Sequence, residues 1–118
     1  MTTFETIRLE IDAAGVARLT LARADVHNAL NPTMFAEIGQ ALDLIEADPA
    51  VRVVVLSGDG ENFCAGGDFR WQQSQGDQDR ASRIRSGVPL AQILARLDTF
   101  GRPIIGRING SAYGGGVG

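Results

Sequence analysis

Lysine is absent from the chain. All eleven basic residues are arginine, which excludes Schiff-base chemistry and the lysine of a Walker-type phosphate loop. One cysteine, Cys64, leaves no internal disulfide, and one histidine, His27, cannot build a histidine-rich metal centre, so no metal is expected. No apolar run approaches the roughly 20 residues of a membrane span. Met1-Thr2-Thr3-Phe4-Glu5 lacks the basic and apolar blocks of a signal peptide, and a cytoplasmic protein with no membrane partner is the expectation. The formal charge of -3 runs against the basic face that nucleic-acid binding needs. There is no repeat or low-complexity tract, and 118 residues with 44% hydrophobic content suit one soluble globular unit.

What is present is a regular alternation of strand and helix signals. Thr6 to Ile11 alternates polar and apolar residues, Asp12-Ala13-Ala14-Gly15 supplies turn chemistry, and Val16 to Leu21 alternates again, which predicts an opening β-hairpin. Asn31 then offers an N-cap with Pro32 at the first helical position. Phe35, Ile38, Leu42 and Ile45 form an apolar stripe, Glu37, Gln40, Asp43 and Glu46 read as the wet face, and Asp48-Pro49 ends the helix. Val51 to Leu56 reads as a strand covered by helices on both sides. From Arg70 to Gly87 the chain is polar and without a clear period, which reads as a mobile loop or a marginal helix. Leu90, Ile93, Leu94 and Leu97 restore helical spacing, and Ile104 to Ile108 reads as a further strand. The pattern predicts an α/β fold.

Two glycine-rich loops follow two of these strands: Phe63-Cys64-Ala65-Gly66-Gly67-Asp68, and Gly110-Ser111-Ala112-Tyr113-Gly114-Gly115-Gly116-Val117-Gly118. Without a Cβ, glycine lets another group approach its peptide, so loops of this kind are where main-chain donors converge on an anion. If the N–H groups of Gly67 and Gly115 point at one spot, they bind a carbonyl oxygen more tightly as it gains charge. One such donor is worth about 2.7–4 kcal/mol in other systems. Tight turns and close packing are the plainer use of glycine. A nucleotide-phosphate module is the other binding class, although neither loop has G-x-G-x-x-G or G-x-x-x-x-G-K-[ST] spacing.

These loops, with Leu21-Ala22-Arg23, His27-Asn28-Ala29-Leu30 and Val53-Val54-Val55-Leu56-Ser57-Gly58, make the sequence resemble the crotonase, or enoyl-CoA hydratase/isomerase, family over essentially its whole length. The resemblance implies a crotonase-like spiral of repeated β-β-α units behind the opening hairpin, apparently truncated, with residues 1–118 as the N-terminal part of a single domain. It implies an acyl-CoA thioester substrate, with coenzyme A as part of that substrate and no separate cofactor. Gly67 and Gly115 become the catalytic oxyanion donors, and Val26, His27, Ala29, Ala65, Asp68 and Phe69 the substrate-binding residues. It also implies fatty acid metabolism and a homotrimer or homohexamer. Many hydratases of the family carry a glutamate two residues after the triple glycine. Here that position is Gly118, and the family's second glutamate falls beyond the last residue. Hydration of an enoyl-CoA is the leading expectation, isomerisation the alternative within the family, and an inactive oligomerising fragment lacking the catalytic acids the third.

Other residues have duller readings. Cys64 has no histidine near it in sequence and reads as a small buried hydrophobe. Asp68 reads as a local cap. Phe69 and Trp71 either line an acyl pocket or cover core. Arg70, Arg80, Arg83 and Arg85 either meet CoA phosphates or form a solvated face, and Asp43 and Glu46 read as surface charges.

Overall fold

A computed structural model describes residues 4–67, 80–113 and 116–118. Strands β1 (Ile7–Ile11) and β2 (Val16–Leu21) form the expected antiparallel hairpin, with Ile7 opposite Leu21 and Ile11 opposite Ala17. The Asp12 carboxylate closes its turn by accepting from the N–H groups of Ala14 (2.9 Å) and Val16 (3.1 Å). Helix α1 (Pro32–Glu46) starts where its cap chemistry places it, Asn31 Oδ1 accepting from Met34 N at 2.9 Å. Strands β3 (Val53–Gly58) and β4 (Ile104–Arg107) join the sheet in parallel, giving the order β1-β2-β3-β4. Helix α2 (Arg80–Asp98) crosses between them.

Register sorts the side chains onto two faces. One face carries Ile7, Ala17, Leu19, Leu21, Val54 and Leu56, and it packs with Met34, Phe35, Ile38, Leu42 and Ile45 of α1 and Leu90, Ile93 and Leu97 of α2 in a single core. Full burial of each such aliphatic side chain contributes about 1.5–3 kcal/mol. Because strands β2, β3 and β4 advance in one direction while both crossover helices lie on one face, the two crossovers have the same hand and the chain winds as a spiral.

Each turn of the spiral also carries a second, shorter pairing. Leu30, which follows β2, bridges Gly67, which follows β3, and Cys64 bridges Ala112, which follows β4. Both bridges are parallel. Among the described residues the repeat is therefore strand, bridge segment, helix, with the second strand of the expected β-β-α unit seen as a bridge.

The structure departs from the expected elements in three places. Strand β3 begins at Val53, because Val51 instead closes the turn after α1 by donating to Asp48 O at 3.2 Å. Both described helices lie on the core face, so among the described residues no helix covers the other side of β3; its outward Val53 and Val55 are half-buried. Glu37 is buried rather than wet, because its carboxylate accepts from Glu5 N and Thr6 N, each at 2.7 Å, and from the Thr6 hydroxyl. The polar stretch, read as a loop or a marginal helix, is helical from Arg80, where α2 starts; residues 70–79 lie outside the described residues.

Asp43 and Glu46 are surface charges, as read, and they also join the helices. Arg96 of α2 reaches both, at 2.8 and 3.2 Å, and donates to Gly39 O at 3.1 Å, clamping the two helices. Arg102 donates to the carbonyls of Ile45 and Glu46, a cation at the negative end of α1.

Candidate functional site

Three loops leave the carboxyl ends of the parallel strands, the side of an α/β sheet where ligands bind. They are zipped together through backbone hydrogen bonds. Ala65 N donates to His27 O at 2.9 Å and Leu30 N to Gly66 O at 2.6 Å, fastening the first loop to the second. Phe63 N and Cys64 N donate to Ser111 O at 3.1 and 3.3 Å, and Tyr113 N donates to Cys64 O at 3.0 Å, fastening the second to the third.

Two asparagines brace this arrangement, and the sequence alone marks neither for that role. Asn28 is fully buried at φ +56°, a left-handed conformation that asparagine tolerates better than most residues. Its Nδ2 faces the carbonyl oxygens of Asp59 (2.8 Å), Asn62 (3.0 Å) and Phe63 (3.1 Å), and its Oδ1 accepts from Arg23 N at 2.8 Å. Asn62 spans all three loops: its Nδ2 meets His27 Nδ1 at 3.1 Å, and its Oδ1 accepts from Ser111 N at 3.2 Å. The motif block containing Asn28 was legible; the hub it forms depends on partners more than thirty residues away.

Two glycines are set by contact. Gly110 sits at φ +62° with Glu61 O where a Cβ would stand, so no side chain fits there. Gly116 lies against Cys64, and a Cβ on it would be 2.7 Å from Cys64 Cβ.

The expected site residues fall as follows. Gly67 is half-buried in its bridge with Leu30, and its N–H has no acceptor among the described residues. Gly115, Asp68 and Phe69, like Arg70 and Trp71, lie outside the described residues. Tyr113 and Gly116, on either side of Gly114-Gly115, are both seated on Cys64, three positions before Gly67. Val26 and His27 are exposed, Ala29 is buried, and Ala65 is exposed. His27, at φ +53°, closes a short turn over Ala24–Val26. The structure thus brings Val26, His27, Ala29, Ala65 and Gly67 into one loop cluster.

Cys64 is buried, with Sγ donating to Asn28 O at 3.2 Å and accepting from Gly66 N at 3.4 Å. Burial pushes its thiol up from the usual range, and the Gly66 N–H offsets this only in part. A neutral, enclosed thiol is a packing group rather than a nucleophile. No cluster of three or more metal-ligating side chains occurs among the described residues, and no described helix is long and apolar enough to cross a membrane.

On the core side the cluster borders apolar space. Leu30, Phe63, Cys64 and Gly116 help line a small cavity of about 60 Å³ with Leu21, Phe35 and Leu94. It adjoins an open groove of about 520 Å³ over Leu56, Leu97, Phe100, Ile104 and Ile108.

The model of the enoyl-CoA hydratase/isomerase family matches residues 12–118. Among curated relatives, the (E)-benzylidenesuccinyl-CoA hydratase of Thauera aromatica is 37% identical over 103 residues, covering 86% of this chain and 39% of its own length. The hydroxycinnamoyl-CoA hydratase-lyase of Pseudomonas fluorescens is 33% identical over 123 residues, covering 98% of this chain and 44% of its own. Among solved structures, an enoyl-CoA hydratase from Shewanella pealeana superposes with a TM-score of 0.91 at 30% identity, over 97% of this chain and 43% of that one. The chain belongs to the enoyl-CoA hydratase/isomerase family, and it spans less than half the length of these relatives.

Proposed function

We propose that this chain contributes the oxyanion half of an acyl-CoA site, in which the N–H groups of Gly67 and Gly115 hold a thioester oxygen while an enolate forms. The observation that carries this is the Gly67 N–H, unpartnered among the described residues, on a braced ladder at the carboxyl ends of parallel strands. A backbone donor fixed before reaction costs no reorganisation when charge develops, and that is what makes it catalytic. The seating of Tyr113 and Gly116 on Cys64 supports placing Gly115 at the same oxygen. CoA would run past Val26, His27, Ala29 and Ala65, with Asp68 and Phe69 completing the contact, and the acyl group would enter the apolar space bordered by Phe63 and Leu30.

The reaction that fits is hydration of an enoyl-CoA. Water adds at Cβ, charge gathers on the thioester oxygen, and the enolate collapses as Cα takes a proton. Isomerisation uses the same enolate and differs in where acid and base stand. Relatives whose names state hydratase activity favour the first. The position two after the triple glycine is Gly118, so this reading assigns the oxyanion donors to this chain and assigns no acid or base within it. Assembly as a homotrimer or homohexamer is part of the proposal, supported by exposed Ile105, Ile108, Tyr113 and Val117.

Binding is tested by titrating CoA, ATP and NAD into the chain. CoA is expected to bind saturably and more tightly than ATP or NAD; equal binding of all three, or of none, contradicts the reading. Catalysis is tested with crotonyl-CoA and a 3-enoyl-CoA.

A further inference from the structure

The sheet face away from the helices carries a polar groove of about 420 Å³ lined by Arg8, Arg18, Thr20, Ser57, Asp59 and Arg107, with Gly58, Gly60 and Asn109 at its end. Register explains it: Arg8 lies opposite Thr20, Thr20 opposite Ser57, and Ser57 opposite Arg107, a straight row across all four strands. Two small hydroxyl residues form the floor, and long guanidinium arms rise at both ends.

The charges in this groove do not cancel. Asp59 pairs with Arg8, and Arg18 is held by Asp12 at 2.7 Å, outside the groove lining. The Arg107 guanidinium has no charged or hydrogen-bonding partner among the described residues, and neither do the hydroxyls of Thr20 and Ser57. A concave site therefore offers an uncommitted guanidinium fork, two hydroxyl donors between the arms, and one carboxylate already occupied by Arg8. Guanidinium forks match the oxygens of a phosphate group, and hydroxyls supply further donors to it. The volume lies within the range of small-ligand sites and exceeds what a lone small anion fills.

We propose that this groove binds a phosphate monoester of small-molecule size, its phosphoryl oxygens held by Arg107, Ser57 and Thr20 between the flanking Arg8 and Arg18. It lies on the opposite face of the sheet from the acyl space and does not depend on the oxyanion reading. Phosphoryl groups of this kind come either as a free metabolite or as the phosphorylated part of a CoA thioester.

The test is a titration of the full chain with AMP, inorganic phosphate and CoA at constant ionic strength, followed by the arginine Nε–H signals in NMR. Saturable shifts with AMP are expected, with Kd weakened about tenfold in Arg107→Gln, in line with one lost charge-assisted contact, and little changed in the charge-matched control Arg52→Gln. Ser57→Ala should weaken it further without altering the circular dichroism spectrum. Saturable binding of CoA with the same variant pattern assigns the source to the thioester, and binding of AMP alone assigns it to a free metabolite. Shifts that never saturate, binding of inorganic phosphate as tight as AMP, or equal losses in Arg52→Gln and Arg107→Gln would overturn the proposal by reducing it to net charge.

Discussion

Gly116 rests on Cys64 so closely that the two glycine loops have no room for a single added methyl group; a Cβ on residue 116 would stand 2.7 Å from Cys64 Cβ and 3.0 Å from both its carbonyl oxygen and its Sγ. Two of these three neighbours belong to the buried side chain and the third to backbone, so none yields cheaply. Gly116→Ala is expected to destabilise the chain by about 1–3 kcal/mol, the usual cost of overpacking, measured as a shift in urea midpoint. Cys64→Ala in the same background should recover part of the loss, because it removes Sγ. No loss in Gly116→Ala would mean that the loops are not in contact.

Asn28 presents one amide to three carbonyl oxygens. Asn28→Asp replaces that donor with an acceptor while leaving the volume unchanged, so it should be worse than Asn28→Ala. Each stranded buried carbonyl costs about 1–3 kcal/mol, and the aspartate adds an unpaired buried charge. The order of chemical denaturation midpoints, wild type above Ala above Asp, checks this.

Glu37 fastens the segment before β1 to helix α1. Burial alone would raise its carboxyl, but the Thr6 hydroxyl and the N–H groups of Glu5 and Thr6 outweigh burial and hold it below the ordinary glutamate range. A lowered value in the folded state means that the stabilisation is present above the unfolded value and is lost as pH falls through the folded one. Glu37→Gln should therefore cost stability at pH 7, with the gap to wild type closing as acid is added below the ordinary glutamate range. A gap that stays constant with pH would show that charge plays no part in this contact.

The thiol of Cys64, raised by burial, should react with a disulfide reagent only through unfolding. The rate is expected to be far below that of the same chain in urea and to rise with temperature as unfolding does. A fast native reaction would mean that the second loop does not cover the sulfur.

The hairpin, the start of α1 and the strand-helix alternation were legible because each is written in local chemistry: Asp12 and Gly15 in the turn, Asn31-Pro32 at the cap, and apolar spacing in Phe35, Ile38, Leu42 and Ile45. The glycine loops were legible as a motif, and the bridge of Cys64 to Ala112 sets them side by side. Glu37 was misplaced because a helical period sees only its own helix, whereas its burial comes from Glu5 and Thr6 on another element. Arg80 to Gly87 left loop and marginal helix both open, since α2 forms there with little apolar stripe of its own. Asn62 carries no local mark at all; its role exists only where His27 and Ser111 meet.

The measurement that bears most directly on the oxyanion reading uses a 3-ketoacyl-CoA, whose enolate absorbs where its keto form does not. Binding to the chain should raise the enolate fraction at fixed pH. Gly67→Ala, which keeps the N–H, should preserve that rise, while Gly67→Pro, which deletes it, should lose most of the rise and still bind CoA. An enolate signal unchanged by binding, or equal in the alanine and proline variants, would contradict the account.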